Sequence, residues 1–187
     1  MIPNPMQNDH PDVWALYQPL MGSSMLELGN KKTTRAGVTV TYKAYFESIG
    51  YRHVSVDWNG EDGSMKRDLR RPLNLGTFDM VTNIGTSEHV QNNQAAVWRN
   101  MCEALHVGAA LICTTPNPGD WTWHGWHHPQ LEFYEQLAQM NGLTVERLFI
   151  CGLGERRMVF CRAIRSEVVP FVMPSSALIH YNEGGQR

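Results

Sequence analysis

Apolar residues recur along this chain in two rhythms, and the switches between them lay out the elements. Three short runs of strand type come first. Met25-Leu26-Glu27-Leu28-Gly29-Asn30 ends in acid-x-glycine, residues 53–58 end in Asp57 and Trp58, and residues 78–85 end in Asn83, Ile84 and Gly85. The third run leads straight into Thr86-Ser87-Glu88-His89-Val90. Between the first two, residues 41–49 space apolar side chains as a helix does and stop at Gly50, a natural helix end. Strand, glycine turn, helix and strand in that order make a right-handed crossover, so the two strands are parallel.

Residues 30–38 and 58–77 carry polar, glycine-rich sequence with no long helical period, and they are expected to be loops. A second helix is predicted from Gln91 to Leu105, ended by Gly108, followed by a buried strand over residues 109–114. Residues 116–128 form a loop rich in Pro, Gly, Trp and His, and Pro129 opens a third helix that runs to Met140 and closes at Asn141-Gly142. Strands at residues 145–150 and 158–164, joined by the turn at 152–155, complete one sheet. The expected organisation is an N-terminal extension over residues 1–22 around the short amphipathic piece Val13-Trp14-Ala15-Leu16-Tyr17, a single domain over 23–165, and a tail over 166–187 that covers the domain or frays.

Composition narrows this picture without redirecting it. At 187 residues, 42% hydrophobic and 18% charged, the chain has the makeup of one globular domain with a substantial core. A formal charge of −2 gives no global reason to expect nucleic acid as a partner, and the basic clusters at 31–35 and 66–71 read as solvated loops. No apolar stretch approaches the roughly 20 residues that span a bilayer. The N-terminus lacks a basic segment followed by an apolar one, and the four cysteines show no C-x-x-C spacing. The expectation is a soluble cytoplasmic protein with reduced, core-type thiols.

In an open parallel sheet, ligands bind beyond the carboxyl ends of the strands, so three polar strand ends within 65 residues point at one crevice. Gly29 allows a sharp turn and close approach of a ligand to the main chain. Asp57 follows Glu27 by one strand-helix-strand unit, where a carboxylate receives the ribose hydroxyls of a nucleoside cofactor. These residues, in this order, resemble class I S-adenosylmethionine-dependent methyltransferases over about residues 22–165. Glu27-Leu28-Gly29 is similar to that family's first motif and Asp57 to its ribose-binding acid. Asp68-Leu69 resembles the adenine-side motif, residues 78–83 the fourth motif, Glu88-His89-Val90 the segment after it, and residues 105–112 the exit into the fifth strand.

The resemblance implies a Rossmann-like, doubly wound α/β fold: a mostly parallel sheet with an antiparallel last strand, shortened here between the second and fourth strands. It implies S-adenosylmethionine as cofactor, held by Glu27, Gly29, Asn30, Asp57, Trp58, Asp68, Leu69, Asn83 and Gly85. Three departures stand out: Lys31 and Thr33 replace two glycines of the first motif, and Val107 replaces a proline.

Glu88, His89 and His124 are the candidate catalytic residues, since a histidine near its ordinary pKa can take a proton from an oxygen or nitrogen nucleophile. For His89, packing or capping the following helix is the competing expectation. The stretch Trp121-Thr122-Trp123-His124-Gly125-Trp126-His127-His128 is either a substrate lid or interface, or a hydrophobic plug. Glu88, His89 and a loop histidine also resemble, more weakly, the ligands of metal-assisted small-RNA 2′-hydroxyl methyltransferases. Gly85 stands where those carry a further glutamate, so no metal is expected. The function expected is methyl transfer to a hydroxyl or amine of a small molecule. Methylation of an RNA end, and an inactive partner subunit that pairs through the tryptophan loop, including as a homodimer, are the alternatives.

Overall fold

A computed structural model describes residues 24–35, 38–152 and 156–182. The amphipathic piece at 13–17 and part of the turn at 152–155 lie outside these residues. Seven strands form the main sheet: β1 (Ser24–Leu28), β4 (Arg52–Asp57), β5 (Met65–Lys66), β6 (Phe78–Ile84), β7 (Leu105–Pro116), β9 (Leu143–Cys151) and β10 (Met158–Arg165). Their order is β5-β4-β1-β6-β7-β10-β9. β1 pairs in parallel with β4 and β6, whereas β10 runs antiparallel between β7 and β9. The shortened region is plain: β5 has two residues, and no helix separates β4 from β5 or β5 from β6.

Helix α1 (Tyr42–Ser48) begins where Thr41 caps it, its side chain accepting a hydrogen bond from Ala44 N. It buries Tyr42 and Phe46 on one face of the sheet, against Met25, Met80, Ile112 and Phe160. Gly50, at φ +95°, takes the left-handed position past its end. Helices α2 (Gln94–Glu103) and α3 (Leu131–Met140) cover the other face. Val97, Trp98 and Met101 of α2 and Phe133, Tyr134 and Leu137 of α3 fall at helical spacing and pack with Leu26, Leu28, Val81 and Leu111. The Trp98 and Phe133 ring centroids are 4.8 Å apart.

Two expectations change, and a third is decided between its alternatives. The loop predicted at 30–38 contains an antiparallel hairpin, β2 (Lys32–Arg35) and β3 (Val38–Thr41), built from β-branched threonines and valines. α2 stops at Glu103, and Leu105 already pairs with Phe78; the register then slips, with Met80 opposite Ala110. Gly108, at φ +90°, therefore turns inside a strand excursion instead of ending a helix. Finally, β8 (His127–Pro129) pairs with β11 (Ile179–Tyr181), so part of the tail is structured. Phe171, Met173, Leu178 and Ile179 of that tail pack on the larger core. Buried Asn141 holds Val172 at both its amide and its carbonyl.

No helix among the described residues is long and apolar enough to cross a membrane.

Candidate active site

A cavity of about 750 Å³ opens beyond the carboxyl ends of β1, β4 and β6. Its volume lies in the range of ordinary small-molecule sites. Gly29, Asn30 and Lys31 form the wall after β1, Asp57 and Trp58 the wall after β4, and Gly85, Thr86 and His89 the wall after β6. Asp68 and Leu69 close one end, and Trp126 and Gln91 line the cavity from its far side.

The turn after β1 is fastened from three directions. Gly29 N donates to Val56 O at 2.8 Å, Lys31 N donates to Glu27 Oε1 at 2.8 Å, and Thr86 Oγ1 donates to Leu28 O at 2.8 Å. Lys31 also reaches across the cavity floor, where its Nζ donates to Gly85 O at 2.7 Å. At the other end Asp57 Oδ1 accepts from Asn59 N, and the Asp68 carboxylate takes a fork of two 2.9 Å bonds from the Arg70 guanidinium. The Arg70 side chain thereby holds the Asp68 carboxyl below the usual carboxylate range. The indole of Trp58 stands 75% exposed at the rim.

Beside Gly85 lies a second constellation. A single 3-10 turn, Ser87–His89, carries Glu88 and His89. The turn is held by buried Asn83, whose side chain both donates to Ser87 Oγ and accepts from Ser87 N. Glu88 is fully buried, and neither carboxylate oxygen has a hydrogen-bond partner. His124, from the loop between β7 and β8, brings its Nε2 to 4.0 Å from Glu88 Oε1, and His89 Nε2 lies 3.9 Å from the same oxygen. The two imidazoles meet edge to face at 4.8 Å. Burial pushes the Glu88 carboxyl up to about 7 against a smaller opposing pull from Lys31. Burial, reinforced by His124, pulls His89 down to about 4, and His124 is lowered by burial as well. Both imidazoles are thus neutral near pH 7, with lone pairs to offer.

The His124 loop is seated on the turn by backbone and tail. Trp126 N donates to Glu88 O at 2.6 Å, and Gly125 packs so closely that a Cβ there would lie 2.7 Å from Glu88 Cγ. His128 Nε2 donates to His124 O at 2.6 Å, and Asn182 from the tail donates to the carbonyls of Trp121, His124 and Gly125.

No family model and no curated protein matches the chain. Solved structures do. An S-adenosylmethionine-dependent methyltransferase from Mesorhizobium loti superposes with a TM-score of 0.61 at 14% identity, covering 83% of this chain and 96% of that one. The 1,6-didemethyltoxoflavin-N1-methyltransferase of Burkholderia thailandensis, solved with bound 1,6-didemethyltoxoflavin and S-adenosylhomocysteine, gives 0.55 at 11% identity, covering 78% and 72%. The N-methyltransferase NodS of Bradyrhizobium japonicum, bound to S-adenosylhomocysteine, gives 0.52 at 13%, covering 78% and 79%. This is the S-adenosylmethionine-dependent methyltransferase fold.

Within that fold the residues singled out in the sequence divide into two groups. Gly29, Asn30, Asp57, Trp58, Asp68, Leu69, Gly85 and His89 share the cavity wall. Glu27, Asn83, Glu88 and His124 are not among the residues that line it, so of the catalytic candidates His89 alone reaches the wall. Glu27 points beneath α1, fully buried, with Oε1 on Lys31 N and Oε2 3.3 Å from His53 Nε2, because residues alternate faces along β1 and Glu27 shares that of Met25. Asn83 is spent on the Ser87 turn. The tryptophans also split. Trp126 lines the cavity, Trp121 donates its indole N–H to Arg157 O at 2.7 Å, and Trp123 is 66% exposed.

Lys31 and Thr86 went unremarked as cavity residues in the sequence, and so did Asn182 as the clamp on the histidine loop. For Lys31 a signal existed: a long cation standing where the methyltransferase pattern carries a glycine.

Proposed function

We propose that the protein is an S-adenosylmethionine-dependent methyltransferase acting on a hydroxyl or amine of a small molecule. The observation that carries this reading is the chemical asymmetry of one cavity. One end offers a strand-end carboxylate, Asp57, with Leu69 and Trp58 as apolar surfaces. The other offers bare backbone at Gly29 and Gly85 beside the Lys31 ammonium and the Glu88, His89 and His124 cluster. A nucleoside joined to an amino acid complements those two ends.

In this reading Asp57 accepts hydrogen bonds from the ribose hydroxyls, and Leu69 packs against the base. Gly85 leaves room because a Cβ there would sit 3.2 Å from Glu88 Oε1 and 3.5 Å from Lys31 Nζ. Lys31 takes the α-carboxylate of the amino-acid end. S-adenosylmethionine supplies, when bound, a methyl group already activated on a sulfonium, so the chain needs chiefly to align the acceptor with it. The acceptor lies against His89 and His124, whose neutral nitrogens engage its hydroxyl or amine hydrogen. The free cysteines Cys102, Cys113, Cys151 and Cys161 support a reducing compartment, the cytoplasm. Lys31 is also the observation that favours a second reading, an inactive methyltransferase-like binding protein, because its ammonium opposes a sulfonium nearby.

Calorimetric titration with S-adenosylmethionine and S-adenosylhomocysteine side by side distinguishes the two, since only the first carries the sulfonium. The intact chain is expected to bind in the micromolar range, and Asp57→Ala to weaken binding at least a hundredfold. Equal binding by both proteins would remove Asp57 from the site, and an intact chain that binds S-adenosylhomocysteine but not S-adenosylmethionine, or neither, would leave the inactive reading.

A further inference from the structure

Glu88 presents a physical problem that methyl transfer alone does not solve. A carboxylate with no exposed surface and no hydrogen-bond partner on either oxygen is costly unless a cation compensates it. The Lys31 ammonium is nearby but is engaged by Gly85 O; it and Glu88 Oε1 merely flank Gly85. What Glu88 does face is imidazole nitrogen. One ligand atom each from Glu88, His89 and His124 fall within 4.8 Å of one another. Metal–ligand bonds of about 2.1 Å set neighbouring ligand atoms about 3–4 Å apart, and the two distances to Glu88 Oε1 are 3.9 and 4.0 Å. Only a small closing movement of the imidazoles separates this arrangement from a coordination shell.

We infer that Glu88, His89 and His124 form a binding site for one divalent transition-metal ion, and that the Lys31 ammonium competes with that ion for the Glu88 carboxylate. Two imidazoles and one carboxylate suit zinc, cobalt or manganese better than magnesium or calcium, which prefer all-oxygen shells. Three protein ligands leave a position open, and since His89 lines the cavity, that position faces the ligand space. With the imidazole lone pairs on the ion, an oxygen of the acceptor would complete the shell there in place of a hydrogen bond to His89 or His124, which singles out a hydroxyl-bearing substrate. That last step rests on the methyltransferase reading; the metal site itself does not.

The shell is braced as such sites require. Asn83 fixes the turn that carries two ligands, and His128 and Asn182 hold the backbone carbonyl of the third. The Gly125 position leaves no space for a side chain between the loop and Glu88.

The test uses untagged protein stripped with chelator and titrated with cobalt(II) alone, followed by visible d–d absorption and calorimetry. One cobalt per chain is expected, with bands characteristic of nitrogen and oxygen ligation. Glu88→Gln and His124→Ala should each weaken binding at least tenfold, while Lys31→Met should tighten it severalfold. His124 sits on a partly exposed loop, so its variant remains informative if Glu88→Gln fails to fold, which circular dichroism would reveal. Absence of stoichiometric cobalt binding by the folded wild type would overturn the site. So would binding unaltered in His124→Ala, which would place the metal on other histidines. Unchanged affinity in Lys31→Met would overturn the competition. Cofactor plays no part in these readings, so a failure here and a failure to bind S-adenosylhomocysteine are separate results.

Discussion

Replacing Gly29 by valine is expected to abolish binding of S-adenosylhomocysteine and to lower the melting temperature by roughly 6–12 °C, a loss of about 3 kcal/mol spread over a chain of this size. Two effects add. Gly29 holds φ +93°, where an L side chain, and a β-branched one above all, is strained. A Cβ at this position would also lie 2.4 Å from Thr86 Oγ1. Thr86 cannot simply retreat, because that hydroxyl donates to Leu28 O and ties the end of β1 to the turn after β6. The clash therefore separates two of the three strand ends that frame the cavity. Thermal unfolding followed by circular dichroism, together with calorimetry on the folded variant, checks both parts. A Gly29→Val protein as stable as wild type would show that the turn is not held as described.

Asn100→Ala is expected to cost about 2–4 kcal/mol, although the residue lies on α2 and does not line the cavity. Its side chain is buried and makes three hydrogen bonds to the segment between β5 and β6. Nδ2 donates to Leu69 O and Arg71 O at 2.9 Å each, and Oδ1 accepts from Leu73 N at 3.1 Å. That segment has no helix to hold it, so one side chain does the work of a missing element. Truncation leaves three backbone groups without their partner and frees Leu69 and Asp68, which close one end of the cavity. Urea denaturation should show the lost stability. Affinity for S-adenosylhomocysteine should drop further than the unfolded fraction explains. A change below 0.5 kcal/mol, on the order of a neutral surface substitution, would contradict this account of how the shortened region is organised.

The sheet was legible in the sequence because its strands are short apolar runs ended by Gly29, Asp57 and Gly85, and because α1, α2 and α3 keep a clean helical period. What the sequence hid were pairings whose signal is not apolar. The β2–β3 hairpin is half polar. β8 and β11 have three residues each and carry histidines and tyrosine, so neither reads as a strand until the other lies beside it. The cavity was legible by strand ends but not by face. Glu27 occupies a motif position, yet the alternation of β1 sends it under α1 to His53. Lys31 was visible as a departure from the glycine pattern. Its grip on Gly85 O depends on the hairpin's path, which no local pattern encodes. The approach of His124 to Glu88 joins residues 36 apart through a loop seated by Asn182, a residue of the weakly patterned tail.

One cavity is expected to take a nucleoside at Asp57 and its amino-acid end at Lys31 and Gly85. A crystal structure of the protein with S-adenosylhomocysteine would show the orientation outright. Ribose hydroxyls are expected on the Asp57 carboxylate, the base against Leu69, and the α-carboxylate on Lys31 Nζ. Density for the ligand elsewhere on the chain, or an adenosine turned end for end so that the base meets Lys31, would contradict this arrangement.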